Sequence, residues 1–158
     1  MDHCTRRIVG FGVLRGGVDG VGLCRMFNRA TRCQSMPTYL SSDHDPLYRF
    51  QQWQANLRIL DVREIKTVPY VPLSHPFVER LIGTIRRECL DRTLFWTAAD
   101  LETKLLDFQR YFNGHRAHAG LEGRTPEPVP ASAGARASLR SYRWPPHCRG
   151  LYQTPTAA

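Results

Sequence analysis

Lysine is nearly absent from this chain. Of 22 basic residues in 158, only Lys66 and Lys104 are lysines, so the cationic surface is built from arginine. Guanidinium groups keep their charge and present a planar fork of donors that matches phosphate oxygens in pairs. Paired cysteines are missing too: Cys4, Cys24, Cys33, Cys89 and Cys148 include no C-x-x-C, and no Cys/His spacing suits a zinc finger or ribbon. They read as reduced packing residues of a cytoplasmic chain. No apolar run approaches the roughly 18 residues of a membrane helix; Ile8 to Leu14 is interrupted by Gly10 and Gly12. Neither a membrane nor a small-molecule substrate is expected. With only 14 acids against those 22 bases the net charge is +8, and the natural partner of such a surface is nucleic acid.

What is present is enough for one globular domain with extensions. Arg7 to Leu14 predicts a strand stopped by Gly16-Gly17. Val18 to Thr31 has helical spacing, with Asp19 near its start. Pro37 to Leu40 predicts a short strand that delivers Asp43 at its end. Phe50, Trp53, Leu57 and Leu60 mark one face of a helix over Leu47 to Leu60. Arg63 to Val68 is β-prone, and Pro69 and Pro72 extend the loop behind it. Pro76 suits a helix first turn, capped by Ser74 or His75 and running to about Leu90. Asp100 caps a further helix carrying Leu101, Leu105, Phe108 and Phe112 and ending at Asn113-Gly114. The domain is expected over 1–128. Residues 129–158 form a Pro/Ala/Arg-rich tail in which Leu139 to Tyr152 either docks as a strand or stays loose.

Two acids stand out, Asp43 and Glu79, with 35 residues between them. Polynucleotidyl-transfer sites gather carboxylates from distant segments around divalent ions. On a helical wheel Phe77, Val78, Leu81, Ile82, Ile85 and Cys89 share one face, and Glu79, Arg80, Gly83, Arg86 and Arg87 the other. Glu79 therefore points away from the core, with a glycine and an arginine one and two turns beyond it, where a phosphate can approach. Taken alone, Glu79 is a solvated helix acid and Asp43 a strand-end turn residue or helix cap. His115 and His118 read as solvated, and Trp53, Phe108 and Phe112 as core aromatics rather than base-stacking platforms.

The surrounding residues carry more. Pro69-Tyr70-Val71-Pro72-Leu73-Ser74-His75-Pro76-Phe77-Val78-Glu79-Arg80 resembles the P-x-x-P-x-x-N-G-x-x-E-R signature of insertion-sequence transposases and retroviral-type integrases. Tyr111-Phe112-Asn113, Arg116, His118, Leu121 and Thr125-Pro126 resemble the run that closes those catalytic cores, and Arg6-Arg7-Ile8-Val9-Gly10-Phe11-Gly12-Val13 is similar to their second strand. His75-Pro76, Asp45-Pro46 and Ala117 depart from the pattern. The resemblance implies an α/β fold, a ribonuclease H-like mixed sheet flanked by helices. It also implies Mg2+ (or Mn2+) as cofactor, Asp43 and Glu79 as catalytic and metal residues, and DNA as partner, with contacts expected through Arg80, Arg86, Arg87 and Arg116. Asp45 is the rival of Asp43, which is preferred because it follows Ser42.

The family's first aspartate lies on its first, central strand, upstream of the segment that Asp2 to Ile8 resembles. The expectation is therefore an integrase core incomplete at its N-terminus and lacking that strand. Asp2 belongs by position to the start of strand two and reads as an exposed strand-end acid. Such a chain is expected to be inactive alone as a DNA transposase or integrase. The alternative is a non-catalytic DNA-binding or regulatory fragment that associates with a full-length transposase or with itself.

Overall fold

The structure, a computed structural model, describes residues 1–32, 34–67, 76–127 and 142–157. They fall into two compact units, Val9–Glu102 and Met1–Ile8 together with Thr103–Ala158.

The first unit is built on a parallel pair of strands, β1 (Tyr39–Ser42) and β2 (Arg63–Lys66), in the register Tyr39 to Arg63 through Ser42 to Lys66. Parallel strands need a crossover, and here it is a 3-10 turn (Pro46–Arg49) followed by helix α2 (Gln51–Ile59). Helix α1 (Gly20–Thr31) packs against α2. It starts where Asp19, expected near the helix start, caps it by accepting from the Gly22 N–H at 2.6 Å. Trp53, Leu57 and Val62 form the centre of this core, flanked by Leu23, Cys24, Phe27, Leu40, Tyr48 and Leu60. Phe27 meets Trp53 edge to face with centroids 5.3 Å apart. Burying Leu57 alone contributes roughly 1.5–3 kcal/mol. Helix α3 (Pro76–Glu88) follows, with Pro76 opening it, and a short 3-10 turn (Leu90–Arg92) packs on its end.

Helix α4 (Ala98–Gly114) leads into the second unit, where Leu105, Phe108 and Phe112 are buried along its predicted stripe. Short antiparallel pairs complete that unit: β3 (Tyr142–Arg143) with β6 (Thr156–Ala157), and β4 (Pro146–His147) with β5 (Tyr152–Gln153). Tyr152 stacks on Tyr111 with centroids 4.2 Å apart, and His147 lies 3.9 Å from His115 by the same measure. The late segment therefore docks, and it does so as hairpins.

Several expected elements differ. Arg7 to Leu14 pairs with no strand among the described residues, because an extended run becomes a strand only when a ladder partner lies beside it. Within the second unit, Ile8 is held by side-chain amides of α4. Within the first, Val9 accepts from the Gln34 amide at 2.8 Å. The helix expected over Leu47 to Leu60 breaks at Phe50, whose ψ of 134° is extended, so Asp45 caps a separate turn through the Leu47 N–H at 2.8 Å. The first strand is Tyr39–Ser42 rather than Pro37–Leu40. Helix α4 begins before Asp100: the Thr97 hydroxyl accepts from the Asp100 N–H at 3.1 Å, and Asp100 accepts from the Trp96 N–H. The Ser74 or His75 cap, Val68 and most of the Pro69–Arg80 signature lie outside the described residues.

Candidate metal and nucleic-acid site

Asp43 is the first residue past β1. The ladder reaches it through the Thr67 N–H, which donates to the Ser42 carbonyl at 3.0 Å. Its Oδ1 accepts from the Asp45 N–H at 3.0 Å, and no bond to Oδ2 exists among the described residues. On the other side of it, His44 Nε2 meets the Thr67 carbonyl at 2.7 Å. Asp43 is exposed and, among the described residues, in no ion pair. The carboxylate of Asp45 caps the 3-10 turn through the Leu47 N–H at 2.8 Å. Asp2 is engaged in a turn of its own, accepting from Cys4 N, Thr5 N and the Thr5 hydroxyl. The Thr5 hydroxyl bond leads in holding its carboxyl below the ordinary carboxylate value.

Directly beneath Asp43 is a fully paired polar network. Glu64 Oε1 accepts from the Ser42 hydroxyl at 2.6 Å and from Lys66 Nζ at 2.7 Å, and Oε2 accepts from the Gln54 amide at 2.8 Å. Trp53 Nε1 reaches Oε1 at 3.5 Å. Burial pushes the Glu64 carboxyl up, but bonds from Lys66, Ser42 and Gln54 and the Lys66 charge outweigh it and hold it below the ordinary value. This cluster was missed in the sequence, although the alternation Glu64, Ile65, Lys66 puts both charges on one strand face.

Glu79 lies in the first turn of α3, exposed as the wheel predicts, where the helix dipole favours a carboxylate. Arg80, Arg86 and Arg87 are exposed on the same helix, and the Arg87 guanidinium folds back over Gly83. The opposite face is narrower than expected. Leu81, Thr84 and Cys89 are buried but Ile82 exposes 56% of its surface, because the core stripe follows 81, 84 and 88–89 and Ile82 lies a hundred degrees to one side. In the other unit Arg116 rests over the Phe112 ring at 5.4 Å with Nη1 3.5 Å from His118 Nδ1, and Arg110 pairs with Asp107 at 3.1 Å. His118 packs edge-on against Phe112, so it is a packing residue rather than a solvated one. Among the described residues no three acids, histidines or cysteines converge as metal ligands, and no helix is long and apolar enough to cross a membrane.

Residues 60–126 match the integrase core domain family. This part of the chain is similar to an integrase core. The matched span takes in Glu79 and β2 and begins after Asp43. Two insertion-element proteins are similar along nearly the whole chain. The uncharacterised 39.2 kDa protein of insertion element IS476 from Xanthomonas euvesicatoria is 26% identical over 97% of this chain and 43% of its own length. The uncharacterised 31.7 kDa protein of insertion element IS407 from Burkholderia multivorans is 24% identical over 87% of this chain and 49% of its own. The chain thus spans less than half the length of the curated relatives it matches. Among solved structures, the catalytic core domain of BIV integrase aligns with a TM-score of 0.56 at 18% identity, covering 71% of this chain and 70% of that one. A chain of the simian T-cell lymphotropic virus intasome aligns with a TM-score of 0.55 at 18% identity, covering 89% and 55%. The fold is accordingly ribonuclease H-like, with its parallel sheet represented by β1 and β2 among the described residues.

Proposed function

We propose that the chain is part of a DNA transposase of an insertion element, contributing Asp43 and Glu79 to a site for Mg2+ or Mn2+. The observation that carries this reading is the state of the two acids. Both are exposed carboxylates on the unit Val9–Glu102, neither is in an ion pair among the described residues, and each stands at an element end or first turn. Hard oxygen donors free of ion pairs among the described residues, in so basic a chain, fit a divalent ion of that kind. Such ions, when bound, activate an attacking oxygen and stabilise the leaving one. The protein's part is to present the two carboxylates and to hold the DNA backbone through Arg80, Arg86 and Arg87 beside Glu79.

Two carboxylates are one fewer than the three this chemistry uses in the family. These 158 residues alone are therefore inactive in 3′-end cleavage and strand transfer, and activity needs a third acid from elsewhere in a longer chain or a partner copy. A non-catalytic role alongside a full-length transposase is the second reading, and it rests on the same shortfall. Both readings are tested by titrating Mn2+ into the parent chain, Asp43→Asn and Glu79→Gln by calorimetry, and by assaying nicking of the element's end DNA. The parent binds Mn2+ weakly, each variant binds it less, and no nicking occurs. Equal binding by all three proteins would remove the acids from the site, and metal-dependent nicking by the parent would refute its inactivity.

A further inference from the structure

The site's most heavily hydrogen-bonded cation is Lys66, one of only two lysines in the chain, and it does not face solvent freely. Its Nζ donates to Glu64 Oε1 at 2.7 Å, to the Ser42 hydroxyl at 3.0 Å and to the Asp43 carbonyl at 3.4 Å. An ammonium has three protons, and all three are used. The Ser42 hydroxyl in turn gives its proton to Glu64 Oε1. Glu64, whose side chain is only 10% exposed, is fastened from the other side by Gln54 and Trp53 of α2. The chain of bonds therefore runs from a packed helix, through an ion pair, to the backbone of the one acid at the end of β1. A surface ion pair contributes little, but one whose acid is nearly buried and wholly satisfied is costly to break on one side only.

The position of this network in the ladder gives it a purpose. Among the described residues the strand pairing ends at Ser42 and the Thr67 N–H, and Asp43 itself makes no ladder bond. Its direction is fixed by two bridges that straddle it, Lys66 to Ser42 and Asp43 on one side and His44 to the Thr67 carbonyl on the other. We propose that Lys66, anchored by Glu64, is a positioning residue that aims the Asp43 carboxylate at its ion. This rests on the reading of Asp43 as a metal ligand.

A positioning role and a merely electrostatic one give opposite signs. An ammonium near a cation site repels the ion, so if its charge were all that mattered, Lys66→Met would tighten Mn2+ binding. If Lys66 positions Asp43, its removal weakens binding by about tenfold, the usual effect of an outer-shell partner. Ser42→Ala removes one bridge without altering any charge and weakens binding in the same direction, and it serves if Lys66→Met does not fold. Lys66→Arg, which keeps charge and donors, restores most of the affinity. The experiment titrates Mn2+ into the folded 158-residue chain and into each of these variants and Asp43→Asn, at a temperature where circular dichroism shows all of them native. Weaker binding in Lys66→Met and Ser42→Ala, with recovery in Lys66→Arg, supports the proposal. Unchanged or tighter binding in Lys66→Met and Ser42→Ala, while Asp43→Asn loses affinity, overturns the positioning role and leaves Asp43 a ligand. Parent-like binding by Asp43→Asn overturns the ligand assignment itself, and the positioning role with it.

Discussion

Ile8 has lost its access to water, so its backbone N–H and carbonyl must find partners inside the protein. Asn113 supplies both: its Oδ1 accepts from the Ile8 N–H at 2.9 Å and its Nδ2 donates to the Ile8 carbonyl at 3.0 Å. Gln109 donates to the same carbonyl at 2.9 Å from one turn earlier on α4. One side-chain amide thus imitates the donor and acceptor that a neighbouring strand would present. Asn113→Ala strands the Ile8 N–H without a partner while Gln109 still serves the carbonyl, and is expected to cost about 1–3 kcal/mol. Asn113→Asp keeps the acceptor and loses the donor, so at neutral pH it costs less if the lone N–H is the main loss. Urea denaturation of the three proteins checks the order, and equal midpoints for all of them would refute the role. The motif Tyr111-Phe112-Asn113 drew attention to this asparagine, but its partner could not be foreseen, since 105 residues separate it from Ile8. Glu64 and Lys66 were invisible for a related reason. Their meaning depends on Ser42 lying opposite Lys66, and register is a property of two segments, not of one.

At the scale of elements, helices were the legible part. Each carries its own periodicity and cap: Asp19 for α1, Pro76 for α3, and the stripe of Leu105, Phe108 and Phe112 for α4. Strands were legible only in position, and Arg7 to Leu14 failed altogether because its composition is that of a strand while its pairing is not. What holds part of it is close approach to a helix. A Cβ at Gly10 would lie 2.7 Å from the Ala30 Cβ and 3.0 Å from the Ala30 Cα, with backbone that cannot swing aside. Gly10→Ala is therefore expected to destabilise by about 1–3 kcal/mol, read as a lower thermal midpoint, and a neutral result would mean the segment is not seated on α1. The C-terminal hairpins add a pH dependence. Burial, and then the neighbouring His115, lower the His147 pKa from its ordinary 6.5, and its Nε2 meets the Thr154 hydroxyl at 2.7 Å. A base with a depressed pKa in the folded state contributes stability that is full above 6.5 and is lost as pH falls through the lowered value. The phenol ring of Tyr111 packs beside His147, with Tyr152 stacked on Tyr111. The urea midpoint of the parent should fall as pH drops below 6.5 and do so less in His147→Gln; a parent no more sensitive to pH than His147→Gln would sink the idea.

For the whole molecule the deciding quantity is charge. A net +8 carried almost wholly by arginine says that association with DNA would be driven by released counterions, but it does not say which arginines take part. Burial and pairing sort them. Arg29, Arg110 and Arg124 are engaged with Glu102, Asp107 and Glu122, and Arg116 lies over an aromatic ring. Arg80 and Arg86 stand exposed on the helix that carries Glu79 and have no ion pair among the described residues. On the proposed reading these two meet phosphates, which position the backbone and carry no sequence information. The logarithm of the binding constant falls against the logarithm of salt with a slope of about −0.9 per phosphate neutralised. Arg80→Ala and Arg86→Ala should each therefore reduce that slope by about 1, and should weaken element-end DNA and unrelated DNA equally. Arg124→Ala, already paired with Glu122, is the control that leaves the slope where it was. Fluorescence anisotropy with a labelled duplex over a salt series measures all four proteins. A slope that survives loss of both Arg80 and Arg86 would move the DNA off the Glu79 face, and with it the argument that this acid works beside a bound backbone.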